Sequence, residues 1–256
     1  MMILDSKQEL EISRQEMSGS RITMKSSGFW KTLKEAEIAL KGPSLGNENH
    51  HLIVSGLSRK NIWMFHEVSH LDIFKFQKIA NPDEDCYIWD DAVKSQLKGF
   101  RYLDGIHIIA VSPAIAEASQ EHENILRYPD WETVPESTSE LHKKWFAEGI
   151  AYDFMSWNDL DHVLGFGNVA VAMHGYDHRK FNFTLSDENI QKFTEETEKG
   201  IELFRKRLGF KPSLYVWPYN EECYWADALL KKKFEMYTIG KGRLDARKAI
   251  ESVQSN

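Results

Sequence analysis

The sequence predicts an α/β protein built on a parallel sheet, and three observations predict it. Short apolar runs of strand length alternate with segments of helical period along the chain. Three of those runs end in polar groups, at Trp89-Asp90-Asp91, Met173-His174 and Trp217-Pro218-Tyr219. No internal repeat or low-complexity tract interrupts the alternation. In parallel α/β folds the ligand site lies beyond the carboxyl ends of the strands. Three strands delivering polar groups at that end is the pattern of one shared site, on a sheet either open or closed into a barrel.

The elements follow in order. Residues 1–27 are polar without a clear period and read as a loosely packed arm. Phe29, Leu33, Ala36 and Leu40 recur at helical spacing, and Gly42-Pro43 stops that helix. HLIVSGL fits a short strand or a helix end. NIWMF is short, apolar and aromatic, and reads as a buried strand. CYIWDD is a second strand. GIHIIAVS is a third, followed by a helix from Pro113 that carries Ile115 and Ala118. Residues 120–140, with Pro129 and Pro135, read as a long loop. ELHKKWFAEGI is a helix, NDLDHVLGFG a short helix closed by glycine, and NVAVAM a strand running into His174. SDENIQKFTEETEKGIELFRKRLGF is the clearest helix, with Ser186 as N-cap, acidic residues in its first turn and Lys and Arg near its end. SLYVW is a strand, CYWADALLKKKF a helix and MYTIG a final strand. The organisation is a helical arm over residues 1–50 and a β/α domain over residues 51–256.

The totals narrow the function classes. A chain of 256 residues holds one large domain or two small ones. Hydrophobic residues at 42% and aromatics at 12% specify a packed core. A formal charge of −7 disfavours nucleic acid as a partner. Two cysteines, Cys86 and Cys223, far apart and outside any metal-type spacing, argue against a disulfide scaffold. The first residues lack the apolar centre of a signal peptide, and no run of 18 apolar residues forms a transmembrane segment. The expectation is a soluble, cytoplasmic protein.

Two segments carry metal-ligand spacing. His66-Glu67-Val68-Ser69-His70 matches H-E-x-x-H, which on a helix sets two imidazoles and a glutamate on one face, as in zinc proteases. The NIWMF lead-in favours a strand, Asp72 falls where the helical motif takes an apolar residue, and a third ligand is missing. The extended motif wants glycine at 73 and histidine at 76, where the chain has Ile73 and Phe76. A strand-end histidine followed by a polar loop is the expectation here.

His174 and His178 also stand four apart, directly after a strand. A catalytic metal with an open position needs a third ligand, and Asp90-Asp91 offers two carboxylates at another strand end. Neighbouring residues of an extended chain face opposite sides, but a kink brings both into one pocket. One carboxylate then binds the cation and the other deprotonates water beside it. Each pair alone has a plainer reading, as a loop cap or as surface histidines. Their weight comes from lying together at strand ends.

The order WMFHEVS, CYIWDD, GFGNVAVAMHGYDH, LGFKPSLYVWPYNEE, LLKKKFEMYTIG resembles the NodB-type polysaccharide deacetylases over about residues 60–240. That family carries a Thr-Phe-Asp-Asp-Gly strand end, a His-Ser/Thr-x-x-His segment and an Arg-x-Pro-Tyr-like segment. Ile88 to Ala92, His174 to His178 and Val216 to Asn220 stand at these places. The resemblance implies a distorted β/α barrel and a divalent metal, usually zinc. It implies Asp91, His174 and His178 as ligands, Asp90 as general base and the Tyr219 N–H as oxyanion donor. The substrate implied is an N-acylated amino sugar, nucleotide- or lipid-linked in a cytoplasmic pathway of surface-polysaccharide or O-antigen synthesis. Trp89, Tyr176, Trp217 and Trp225 are candidates to stack on sugar rings, with core packing as the competing reading, and Pro218 joins them as a substrate-site residue. The chain departs from the pattern at Ala92, at Gly175 and in having no arginine beside Pro218. It also lacks the family's late histidine, the proton donor, so either another group takes that task, with His66 or His70 as candidates, or the reaction is slow or absent. The alternative is a non-catalytic sugar-binding protein on a decayed deacetylase fold.

Overall fold

The computed structural model describes residues 50–121 and 135–254. The helix expected over residues 29–40, the rest of the arm and most of the loop expected over 120–140 lie outside the described residues. Seven strands form one parallel sheet: β1 (Asn61–Phe65), β2 (Asp85–Trp89), β3 (Ile106–Val111), β4 (Val169–Met173), β5 (Leu214–Val216), β6 (Tyr237–Ile239) and β7 (Leu244–Asp245), in the order β6-β5-β4-β3-β2-β1-β7. The described helices are α1 (His50–Leu57), α2 (His70–Gln77), α3 (Pro113–Glu121), α4 (Thr138–Glu148), α5 (Trp157–Leu164), α6 (Asp187–Leu208), α7 (Tyr224–Lys232) and α8 (Ala246–Gln254). No helix among the described residues is long and apolar enough to cross a membrane.

Both faces of the sheet are buried, which is why its strands read as continuous apolar runs rather than alternating ones. One set of side chains, including Ile62, Ile88, Ile108, Ala110, Ala170, Ala172, Leu214 and Val216, packs on Ile53 and Leu57 of α1. The other set, including Phe65, Tyr87, Trp89, Ile109, Val171, Tyr215 and Trp217, packs with Phe76, Leu160, Phe204, Trp225 and Ile250 of later helices. α1 lies across β2, β3 and β4, where three alanines make room for it inside a curled sheet. The remaining helices wrap the outside. An eight-residue helix is too short to hold its shape alone. Burying Ile53 and Leu57, worth roughly 1.5–3 kcal/mol each, fixes it in place.

The result is a distorted β/α barrel. Its edge strands β6 and β7 are joined by residues 240–243, with a single bridge between Gly240 and Gly242. Register aligns the carboxyl ends of the strands. Phe65 faces Trp89, Val111 faces Met173 and Val216 faces Ile239. His66, Asp90, His174 and Trp217 therefore emerge at the same rim.

The structure differs from the sequence reading at several points. Of the two readings of HLIVSGL, strand or helix end, the structure takes the helical one. The expected polar loop after His66 is α2, opened by a capping box in which Ser69 and Asp72 exchange side-chain and backbone hydrogen bonds. His70 begins that helix while His66 precedes it, so the two histidines share no helical face and the zinc-protease arrangement does not form. His70 instead packs on Phe74 and Tyr102. The 3-10 stretch Lys94–Arg101, the two-residue β7 and α8 have no counterpart in the sequence reading.

His107 on β3 is fully buried; its Nδ1 accepts from Trp89 Nε1 at 3.0 Å and its Nε2 donates to the Leu103 carbonyl at 2.9 Å. Those bonds need the neutral ring, and burial lowers its pKa to about 4, against the weaker raising effect of the Leu103 bond. The unfolded chain takes up this proton first, at the ordinary histidine value. Stability from this site is thus complete above about pH 6.5 and is lost as pH falls toward 4, by about 1.4 kcal/mol per pH unit. Urea midpoints at pH 7 and pH 5 should separate in the parent protein and separate less in His107→Gln.

Candidate metal centre

The turn after β2 builds the centre. Asp91 and Ala92 both adopt left-handed backbone, with φ of 69° and 51°, which turns two adjacent carboxylates into one cleft. The turn is held from several sides. Buried Gln96 donates from Nε2 to the carbonyls of Asp90 (2.6 Å), His66 (3.1 Å) and Phe65 (3.2 Å), tying the ends of β1 and β2 together. The Ala92 carbonyl accepts from the Met155 N–H at 2.7 Å. Left-handed backbone at non-glycine residues costs about 1 kcal/mol or more each and persists only where the surroundings enforce it. His178, Tyr219 and Asn220 share that conformation, so the strained residues concentrate around one cleft.

Asp91 Oδ1 lies 3.0 Å from His178 Nε2 and 3.4 Å from His174 Nε2, and the two imidazole nitrogens are 3.1 Å apart. His174 Nδ1 donates to the Val216 carbonyl at 2.8 Å, which fixes the tautomer that leaves Nε2 with a lone pair. Burial raises the Asp91 carboxyl, but His178 and His174 outweigh it and hold it well below the usual carboxylate range. Burial likewise lowers His174, and the Asp90 and Asp91 carboxylates overcome it to raise that ring. Asp91 Oδ1 is buried with no hydrogen-bond donor of its own. Ligand atoms about 2.0–2.1 Å from a tetrahedral cation stand roughly 3.3 Å apart. The observed spacing and the orphaned oxygen fit a divalent cation held by Asp91, His174 and His178.

A third imidazole, unforeseen in the sequence, joins them. His142 on α4 stacks on His178 with ring centroids 4.1 Å apart and planes 3° apart, and its Nε2 lies 3.5 Å from Asp91 Oδ1. A cation bound to an imidazole nitrogen lies in the plane of that ring, so two rings stacked face to face do not both meet one ion. Asp91, His142 and His178 do have ligand atoms close enough to share an ion, but the parallel rings would have to tilt apart to do so. His142 is 8% exposed, its Nε2 makes no hydrogen bond, and burial lowers its pKa to about 4, with Asp91 opposing. It is a neutral ring with an unspent polar atom at the cleft.

Asp90 is held differently. Its Oδ1 accepts from Arg243 Nη1 at 2.8 Å, and its Oδ2 lies 3.5 Å from His66 Nε2. Arg243 also donates to the carbonyls of Gly240 and Trp217 and to Asn220 Oδ1. Arg243 lies on the segment after β6, where no periodicity singled it out.

The cleft above these groups has a volume of about 510 Å³. His66, Asp90, Asp91, His142, His178 and Tyr219 line it, with Phe146 on the wall. Tyr219 is 48% exposed, and its hydroxyl donates to the His178 carbonyl at 2.9 Å. The aromatic assignments need correction. Trp89 and Trp217 are fully buried in the outer core, and Trp225 is buried with its Nε1 on the Phe183 carbonyl. None of the three offers a face to a sugar. Tyr176 and Pro218 border a small neighbouring cavity, with Gly175 and Phe181, rather than the cleft. His70 is likewise absent from the cleft wall.

No family profile matches the chain, and no curated protein matches it by sequence. Among solved structures it is similar to IcaB from Ammonifex degensii, at 14% identity and TM-score 0.48, covering 76% of this chain and 96% of that one. It is also similar to a de-N-acetylase from Aggregatibacter actinomycetemcomitans, at 12% identity and TM-score 0.45, covering 75% and 98%. A third is the BpsB deacetylase domain from Bordetella bronchiseptica, at 16% identity and TM-score 0.41, covering 66% and 69%.

Gly175 follows the first imidazole with φ of 71°, and an added Cβ would stand 3.2 Å from Pro218 Cγ. Gly175→Ser should therefore destabilise the fold by roughly 1–3 kcal/mol. Urea unfolding measures it, and an unchanged midpoint contradicts the strain argument.

Proposed function

We propose that this chain is a metal-dependent hydrolase that removes an N-acyl group from an amino sugar, a deacetylase of the NodB type. The observation that carries the reading is the convergence of Asp91, His174 and His178 within 3.0–3.4 Å beside a second carboxylate, Asp90, kept apart by Arg243. When bound, a divalent cation such as zinc polarises the acyl carbonyl and lowers the pKa of water.

The chain's own groups divide the remaining work. Arg243 occupies Asp90 Oδ1, so Oδ2 faces the cleft and takes the proton of the attacking water. His66, half-exposed and beside that oxygen, hands a proton to the departing nitrogen. The Tyr219 N–H takes the part of oxyanion donor in this reading, supported by the place of Tyr219 on the cleft wall. The neutral His142 ring offers its free Nε2 to the substrate. Phe146 and the Tyr219 ring, both partly exposed, serve as the stacking surfaces in place of the buried tryptophans. A cleft of this size suits one or two sugar units.

His174→Ala/His178→Ala should lose bound zinc while His66→Ala/His70→Ala keeps it, measured by elemental analysis of purified protein. Zinc lost only from the second variant overturns the reading. Asp90→Asn should retain the metal yet release free amine at least about a hundredfold more slowly. The screen uses N-acetyl and N-formyl amino sugars, free, nucleotide-linked and lipid-linked, with added zinc or cobalt. Full activity in Asp90→Asn removes the assigned base.

A further inference from the structure

Glu67, the acidic residue of the His-Glu-Val-Ser-His stretch, has no part in the chemistry described above, yet it is strongly engaged. Its side chain is 11% exposed. Oε2 accepts from the Thr138 N–H at 3.0 Å and from Thr138 Oγ1 at 2.7 Å. Oε1 pairs with Arg247 of α8. Burial alone would raise this carboxyl, but the Thr138 and Arg247 bonds outweigh it and lower it, so it stays ionised.

Thr138 opens α4, and α4 carries His142. Thr138, His142 and Trp145 stand at i, i+4 and i+7, one stripe of the helix. All three meet the barrel: Thr138 through Glu67, His142 by stacking on His178, and Trp145 by donating from Nε1 to the Asp177 carbonyl at 3.2 Å. His142 thus sits between two tethers, with Phe146 stacked on its other side at 5.8 Å and 14°. α4 belongs to the connection between β3 and β4, remote in sequence from β1. Two Glu67 bonds tie the residue that opens its first turn to the rim that carries His66 and Asp90, while Leu141 of the same turn is buried in one cluster with Val93.

We propose that Glu67 is a positioning residue that locks the first turn of α4 to the barrel rim and so sets the imidazole of His142 in the cleft. The task of His142 toward substrate rests on the deacetylase reading; the placement does not.

The test compares Glu67→Ala, Glu67→Gln, Thr138→Ala and His142→Ala in the full chain. Histidine ring carbon–proton correlations by NMR give a readout that needs no activity, the His142 signal being identified by its loss in His142→Ala. Glu67→Ala should move or broaden the His142 signal while the His107 signal, deep in the core, stays in place and bound zinc is retained. Thr138→Ala should move the same signal in the same direction. Glu67→Gln, which keeps an acceptor oxygen and the volume, should shift it less and serves if Glu67→Ala does not fold. In the amine-release assay Glu67→Ala should lose between about tenfold and a hundredfold in kcat/KM. Its effect should vanish in the His142→Ala background, since both act through one ring. An unmoved His142 signal, or losses that multiply in the double variant, overturns the proposal. Absence of amine release from the parent protein sinks the deacetylase reading instead, and the NMR comparison still decides this one.

Discussion

The left-handed turn at Asp91 and Ala92 is the constraint on which the site depends. In an extended strand Asp90 and Asp91 would face opposite sides of the sheet, one into the cleft and one into the core. Two consecutive residues at positive φ break that alternation and deliver both carboxylates to one side. Such a turn is unfavourable in isolation. Gln96, with its three carbonyl partners, and the Met155 N–H on the Ala92 carbonyl over-determine it. The geometry of the rim is therefore held by a buried amide that reaches it through backbone carbonyls.

Once both carboxylates share the cleft, their partners separate them. Asp91 faces imidazole nitrogens and Asp90 faces a guanidinium. A guanidinium has only donors to offer, so the Arg243 contact keeps one Asp90 oxygen engaged while Asp91 faces imidazole nitrogens; on the proposed reading this inequality splits the two carboxylates between proton transfer and metal. One dipeptide gains two tasks from two environments, which is how neighbouring acids are commonly made unequal.

The strands and most helices could be read from the sequence because a sheet buried on both faces writes long apolar runs, and because Ser186 and its acidic first turn cap α6 so plainly. The pairs Asp90-Asp91 and His174/His178 could be found because strand ends and fourfold spacing mark them. Trp89 and Trp217 follow the sheet's own period: with Phe65, Tyr87 and Tyr215 they fall on the face that packs into the outer core, so a strand-end position alone does not put them in the cleft. His142 and Arg243 had no local signal. They reach the cleft only through tertiary placement, one on a connection helix and the other on the short segment after β6. α2 escaped notice because eight residues give little periodicity, and its cap uses Asp72 where the usual box has a longer acid.

Residues 240–243 span from one edge of the sheet to the other, and Arg243 ends that span. The same guanidinium holds Gly240, Trp217, Asn220 and Asp90. The span between the two edges and the pairing of Asp90 are thus a single mechanical state. A fluctuation that parted the two edges would strip Asp90 of its counter-ion in the same motion, so the latch and the charge balance of the cleft give way together.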